Sequence, residues 1–272
     1  LIQEIALKTI FYQPTISYKI NDKFGIGAGF VFATGSVDLS RAVPTPVDGS
    51  FNMNGSTTAM GFNAGVYLNP IEALKIGIDY RSGMTMSVEG GDVTFSDIPG
   101  YLQSSFPANK FDADLPIPAN LDVGLAYSLS EKLTIAVEMN YVFWSDYDSL
   151  NIDFEENTDL LADSKNPREY SNSMILRLGG EYKVNDKISA RAGVYYDPRP
   201  TNEKYFTPET VSLNTLAFTL GLSIMPTEGL SVDLSLLQLN GLEEDMQYEP
   251  ENFAGTYKTT TVIPGIGVSY SF

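Results

Sequence analysis

Between Asn120 and Leu129 the chain alternates strictly. Leu121, Val123, Leu125, Tyr127 and Leu129 form one set, and Asn120, Asp122, Gly124, Ala126 and Ser128 the other. In an extended chain successive side chains point to opposite faces, so each set owns one surface. The pattern returns in Ile135, Val137, Met139, Tyr141 and Phe143 against Thr134, Ala136, Glu138, Asn140 and Val142. It returns again in Met174, Leu176, Leu178 and Tyr182 against Ile175, Arg177, Gly179, Glu181 and Lys183, and in Leu216, Phe218, Leu220, Leu222 and Ile224 against Thr215, Ala217, Thr219, Gly221 and Ser223. These runs last about ten residues, beyond the usual 5–6 of a globular strand and close to the 9–11 that cross a bilayer at a tilt.

Alternation alone also fits a soluble β-sandwich or a lipocalin-like barrel. The polar face argues for a membrane: Lys75, Asp79, Arg81, Asp122, Glu138, Arg177, Glu181, Arg191 and Asp233 all fall within strands. A lumen of water and polar networks holds such charges, while the apolar set meets lipid. Five tight turns, at Ile20–Phe24, Leu68–Glu72, Leu129–Leu133, Val184–Ile188 and Met225–Gly229, carry the Asn, Asp, Pro, Ser or Gly a hairpin needs. Long polar segments lie between them: Arg41–Ser56, Glu89–Pro116, Asp146–Glu169 and Pro198–Ser212. Short turns at one end and long loops at the other are the asymmetry of outer-membrane barrels. The expectation is one all-β domain over residues 1–272, a transmembrane antiparallel up-and-down β-barrel. Five hairpins and a last strand from about Tyr257 to Phe272 make eleven strands. Bacterial barrels mostly close on even numbers, which predicts N-terminal strands outside this sequence, the alternative being closure through an unusual number or a partner. Leu1-Ile2-Gln3-Glu4 has neither the basic start nor the apolar run of a signal peptide, so a processed or truncated start is expected.

Composition removes other functions. Without Cys or His there is no thiol or Ser–His nucleophile, no usual zinc site and no disulfide framework, so an enzyme is not expected and no cofactor is implied. A net charge of −17 opposes nucleic acid as a partner. Tyr18, Tyr67, Tyr80, Tyr127, Tyr141, Tyr182, Tyr195, Tyr196 and Tyr270 fall near strand ends, as aromatic girdles do, and Trp144 reads as a rim anchor.

Several passages resemble the FadL-type family of outer-membrane transporters. These are Pro14–Asp22 with Gly25-Ile26-Gly27-Ala28-Gly29, then Ile78-Asp79-Tyr80-Arg81-Ser82, then Pro118-Ala119-Asn120-Leu121 through Tyr141–Ser145. Arg191–Pro200 and the closing Gly265–Phe272 complete the series, in the family's order. The resemblance implies a Gram-negative outer membrane and a monomeric fourteen-stranded barrel, of which this chain is the last eleven strands, with the N-terminal hatch and first strands absent. It implies transport of long-chain fatty acids or other hydrophobic small molecules with lateral exit into the membrane, amid lipid and lipopolysaccharide. A non-transporting barrel of the same fold, serving as a structural or secretion-machinery partner, is the alternative.

For binding, Ile98, Pro99, Tyr101, Leu102, Phe106, Phe111 and Leu115 make the Glu89–Pro116 segment unusually apolar, with a short helix expected over Ile98–Ser105. They are candidates for a ligand groove, or pack the segment onto the rim. Arg81, Arg177 and Arg191 are candidates for a carboxylate head group, against the reading that each belongs to a structural network with Asp79, Asp122, Glu138, Glu181 and Asp233. The acidic run Asp146, Asp148, Asp153, Glu155, Glu156, Asp159 and Asp163 reads as a solvated loop, with Ca²⁺ as its alternative ligand; no metal site is assigned.

Overall fold

The computed structural model describes residues 2–44, 48–207 and 211–271. Thr45-Pro46-Val47, Pro208-Glu209-Thr210 and the closing aromatic Phe272, which belong to the segments above, lie outside the described residues. No described helix is long and apolar enough to cross a membrane. The sixteen strands form one antiparallel sheet.

Ile2–Tyr12 (β1) and Thr15–Asn21 (β2) lie end to end beside Phe24–Pro44 (β3). Tyr12 faces Phe32 and Thr15 faces Gly29, so register survives across Gln13 and Pro14. Asp48–Ile71 (β4) follows. Leu74–Arg81 (β5) and Met84–Ser96 (β6) then run end to end against Asn109–Ile117 (β7) and Asn120–Ser128 (β8). Leu133–Val142 (β9) is continued by Ser149–Phe154 (β10), and Ser164–Pro167 (β11) leads into Ser173–Asn185 (β12). Ile188–Asp197 (β13), Thr215–Thr227 (β14), Leu230–Tyr248 (β15) and Phe253–Tyr270 (β16) complete the order. Joined end to end, the sixteen segments make the eleven tracks expected from the sequence. The sheet is open: β16 and the β1–β2 track are its long edges, and β11, paired only with β10, ends it above the belt.

All five tight turns form, two of them closed by an Asn side chain: Asn21 Oδ1 accepts from Lys23 N (2.8 Å) and Asn185 Oδ1 from Lys187 N (2.9 Å). Gly229 turns the fifth with φ of 79°, which a side chain resists. Register then carries the alternation across the sheet: Lys19, Gly25, Tyr67, Gly77, Gly124, Glu138, Arg177, Tyr195 and Ala217 are successive partners in one row. The apolar residues of the rows on either side point the other way. Val137, Leu176 and Phe218 are 47, 45 and 49% exposed, so no second sheet covers them; they are the lipid-facing set.

Five tracks are interrupted at Gln13–Pro14, Ser82–Gly83, Pro118–Ala119, 143–148 and 168–172. The interruptions share one level, because Thr15, Gly29, Asn63, Arg81, Asn120, Val142 and Ser173 are again successive partners. Above this belt the sidedness reverses. In β3 the inward set runs Gly25, Gly27, Gly29 and then Val31, Ala33, Val37, Leu39; the outward set runs Ile26, Ala28, Phe30, Phe32 and then Thr34, Ser36, Asp38, Ser40. In the β5–β6 and β7–β8 tracks the interruption makes the change. Arg81 and Met84 both face inward, three positions apart where alternation allows two, and Asn120 and Ile117 do the same. Both strands slip together, so Arg81 still faces Asn120 and Met84 faces Ile117.

The inward lean of β6 is visible at three bare backbone positions. A Cβ at Gly61, Gly35 or Gly55 would lie 3.0, 2.5 or 2.5 Å from Met84 Cε, Met86 Cε or Val88 Cγ1. Arg41–Ser56 and Glu89–Pro116, expected as polar loops, are therefore largely strand, and Asp146–Glu169 contributes the short strands β10 and β11. They keep period two, with the polar set now facing water and the apolar set facing in. The described residues of Pro198–Ser212 form no strand beyond an isolated bridge at Tyr205; Phe206 is buried with Leu213 and with Met246 of β15.

Candidate functional site

The strands above the belt pack their inward apolar side chains together as one lining, the vestibule. Its lower layer is Val31, Ala33, Ala59, Met84 and Met86, with Leu115 and Ile117 packed on it. Its upper layer is Val43, Phe51, Met53, Val88, Val93, Phe111 and Leu161. Phe51, Phe95 and Phe106 stack in sequence, with ring centroids 5.3 and 5.2 Å apart. The lower layer is open beside β1. Leu7, in the row of Val37 and Gly55, and Phe11, in the row of Ala33 and Ala59, both belong to the inward set and remain exposed.

Arg81 stands at the floor of this space. Its guanidinium carbon is 5.4 Å from the centre of the Phe11 ring, a cation–π contact, and its buried Nε has no hydrogen-bond partner. Asn63, its partner in register, likewise has a buried Oδ1 without a donor. Among the described residues no carboxylate reaches ion-pair distance of Arg81, although Asp79 interacts with it electrostatically. Arg177 and Arg191 are different. Arg177 is paired with Glu138, and Arg191 bonds Glu181 Oε2 (2.6 Å) and Ser223 Oγ (2.6 Å), with Asp233 Oδ1 at 3.7 Å. The lower wall keeps two open concavities. One, of about 610 Å³, is floored by Gly25, Gly27, Gly65, Gly77 and Gly124 beside Asp79, Asp122 and Glu138. The other, of about 480 Å³, lies over Gly179 and Gly193 between Arg177 and Arg191.

Of the residues singled out in the sequence, the structure gathers Ile98, Phe106 and Phe111 on the vestibule core, with Phe111 only 2% exposed. The short helix forms as a 3₁₀ turn over Gly100–Ser105; it leaves Tyr101 72% exposed at the tip and Leu102 half-buried. Arg177 and Arg191 sit lower and apart from this group. Trp144 packs edge-on against Tyr170 (5.7 Å), which in turn meets Tyr147 (5.0 Å). Among the described residues no three carboxylates converge where an ion could be held.

The chain has counterparts among known proteins. The profile described as "Outer membrane protein transport protein (OMPP1/FadL/TodX)" matches residues 3–272. The chain belongs to the OMPP1/FadL/TodX family. Outer membrane protein P1 of Haemophilus influenzae is 30% identical over 189 residues, covering 66% of this chain and 38% of that protein. The 47 kDa outer membrane protein of Pasteurella multocida is 22% identical over 228 residues, covering 81% and 52%. The chain thus spans about two-fifths to half the length of these relatives. A Pseudomonas aeruginosa FadL homologue superposes with a TM-score of 0.81 at 21% identity, over 98% of this chain and 68% of that one. The Pseudomonas putida toluene transporter TodX gives 0.70 at 19%, over 98% and 69%. As an OMPP1/FadL/TodX member, this is an outer-membrane protein of Gram-negative type, in a family of transport proteins.

Sequence reasoning missed Phe11, Val31, Ala33, Phe51, Met53, Met84, Met86 and Val93 as members of this inward apolar lining. The signal was present in β3, where the glycines of the inward set give way to Val and Ala at the positions where the outward set turns to Thr and Ser.

Proposed function

We propose that this chain forms the wall of a transporter that carries long-chain fatty acids or other hydrophobic small molecules across the outer membrane and releases them sideways into the bilayer. The observation that carries the reading is the apolar inward face above Arg81. An alkyl chain crossing a polar layer inside it gains about 0.8 kcal/mol per buried CH₂. Ile98, Phe106 and Phe111 hold the walls that receive the tail, Tyr101 and Leu102 stand at the entrance, and Arg81 receives the carboxylate with its planar fork. Arg177 and Arg191, already neutralised, line the route below. The relatives named as FadL and toluene transporters support a hydrophobic cargo. The protein works as a monomer surrounded by lipid and lipopolysaccharide, and further strands at the two free sheet edges complete the wall, since open edges are not stable in hydrocarbon.

Binding of oleate and of toluene to Arg81→Gln tests the reading. A charge-assisted hydrogen bond contributes about 1.5–3 kcal/mol, so oleate affinity falls by roughly ten- to a hundredfold while toluene binding holds. Unchanged oleate affinity removes Arg81 from the site. Failure of the parent protein to bind either compound favours the scaffold reading, which draws its support from the ion-paired lower lumen.

A further inference from the structure

The belt carries one polar rung on its inward side. Thr15, Gly29, Asn63, Arg81 and Asn120 are successive partners there, beneath the layer of Val31, Ala33, Met84 and Met86 and above the paired charges of the lumen. Two atoms of this rung are orphans. Asn63 is 6% exposed and its Oδ1 accepts no hydrogen bond, while Arg81 Nε, on the neighbouring strand, is buried and donates none. Gly29 is what lets the amide lie in the rung, because a Cβ there would collide with Asn63 Oδ1 and stand 2.6 Å from Thr15 Oγ1. Asn63 Nδ2 is turned toward that same Thr15 Oγ1 (3.5 Å), so Oδ1 is the atom left over. Buried polar atoms are nearly always matched, and an orphan acceptor beside an orphan donor has the polarity to hold a group that both accepts and donates.

We propose that Asn63 forms a subsite for a hydroxyl on carbon 2 or 3 of the cargo, so that the preferred class is a hydroxy acid of this kind and not a plain fatty acid. The inference rests on the head-group position proposed for Arg81 and narrows the substrate taken there. Arg81 holds the carboxylate through Nε–H and its fork, and the neighbouring hydroxyl donates to Asn63 Oδ1. Register sets the carbon. Residues paired across an antiparallel ladder have Cα atoms only about 4.5–5.5 Å apart, so the two polar groups of the cargo must be near neighbours. A hydroxyl further along the tail rises into Val31, Ala33 and Met84, whose apolar side chains give it no partner. A plain fatty acid satisfies Arg81 but leaves Asn63 Oδ1 buried without a donor, which weakens its binding.

Binding of decanoate, 3-hydroxydecanoate and 3-methoxydecanoate to the full chain in detergent is the measurement. The parent protein binds 3-hydroxydecanoate roughly tenfold more tightly than decanoate, as one added hydrogen bond allows. The methyl ether, which keeps the oxygen but has no proton to donate, shows no such advantage. Asn63→Leu brings 3-hydroxydecanoate and decanoate to equal affinity. Equal binding of these two acids by the parent protein overturns the hydroxyl subsite and leaves the head-group position standing. An advantage that the methyl ether shares, or that survives in Asn63→Leu, overturns it as well. If none of the acids binds, the head-group position at Arg81 falls, and the subsite with it. Should Asn63→Leu fail to assemble, the three acids on the parent protein decide the matter alone.

Discussion

Below the belt of interruptions the sheet faces lipid with Leu, Val and Phe and encloses charge. Above it, the strands of the same first seven tracks face water with Ser, Thr, Asn and Asp and enclose Val, Met and Phe. Topology is the same in both, so sidedness belongs to the side chains and to what surrounds them. A bilayer rewards an apolar exterior and tolerates a wet polar lumen, while water rewards the opposite arrangement. The belt is where one rule replaces the other. In β3 and β4 composition alone makes the exchange, while β5–β6 and β7–β8 add a paired slip that turns Met84 and Ile117 inward without losing register.

The strongest test of the upper region removes its filling. Phe111 is 2% exposed in the vestibule core, and Phe111→Ala costs about 3–5 kcal/mol through lost contact and the cavity left behind. Urea unfolding in detergent, with a second probe placed in the β6–β7 hairpin, reads this as early loosening of the upper strands. Coincident loss of the whole barrel would mean that the two regions are one cooperative unit.

The comparison itself is tested by one substitution made twice. Leu220, near the middle of β14, faces lipid, and Leu220→Lys costs about 2–4 kcal/mol in a bilayer. Thr58, in the outward set of β4 above the belt, faces water, and Thr58→Lys stays within about 0.5 kcal/mol. Equal penalties in reconstituted vesicles would show that the membrane reaches higher than the belt.

The lower region was legible in the sequence because period two, strand length and tight turns all agree there. Asn120–Leu129 reads as a strand with a lipid face, and it is one. The upper region was not, because its outward residues are those that also make loops. Asn52, Asn54 and Ser56 look like a polar connection unless Phe51 and Met53, which alternate with them, are read as the opposite face. Arg81 could be named from sequence as a lumen cation. Its lack of a carboxylate partner, which separates it from Arg177 and Arg191, depends on a register and an interruption that no local pattern reveals.

That difference among the arginines gives a smaller effect. Arg177 and Glu138 are both partly open to the lumen, and such pairs contribute roughly 0.2–1 kcal/mol. Arg177→Gln therefore leaves stability almost unchanged and leaves oleate affinity intact, in contrast to Arg81→Gln. A drop in oleate binding at Arg177 as large as at Arg81 would move the head-group position down into the ion-paired lumen.

The smallest effect lies at the outer margin of the vestibule, where the β10–β11 hairpin is fastened by hydrogen bonds as well as by Ile152, Phe154 and Leu161 on the core. Asp163 Oδ1 accepts from Phe154 N (2.7 Å) and Oδ2 from Asn157 Nδ2 (3.0 Å), while Asp163 N donates to Asn157 Oδ1 (2.9 Å). The Phe154 amide first, and the Asn157 side chain second, hold this carboxyl below its ordinary range. A group whose pKa is lowered by folding stabilises fully above its unfolded value, and the contribution disappears as pH falls through the lowered folded value. Hydrogen exchange at the Phe154 amide is thus slow near neutrality and accelerates in acid beyond its intrinsic pH dependence. Asp163→Asn removes that excess while the Phe111 core stays protected. If acid loosens Phe154 and Phe111 together, the margin and the core of the vestibule open as one, and the hydrogen-bonded fastening has no separate existence.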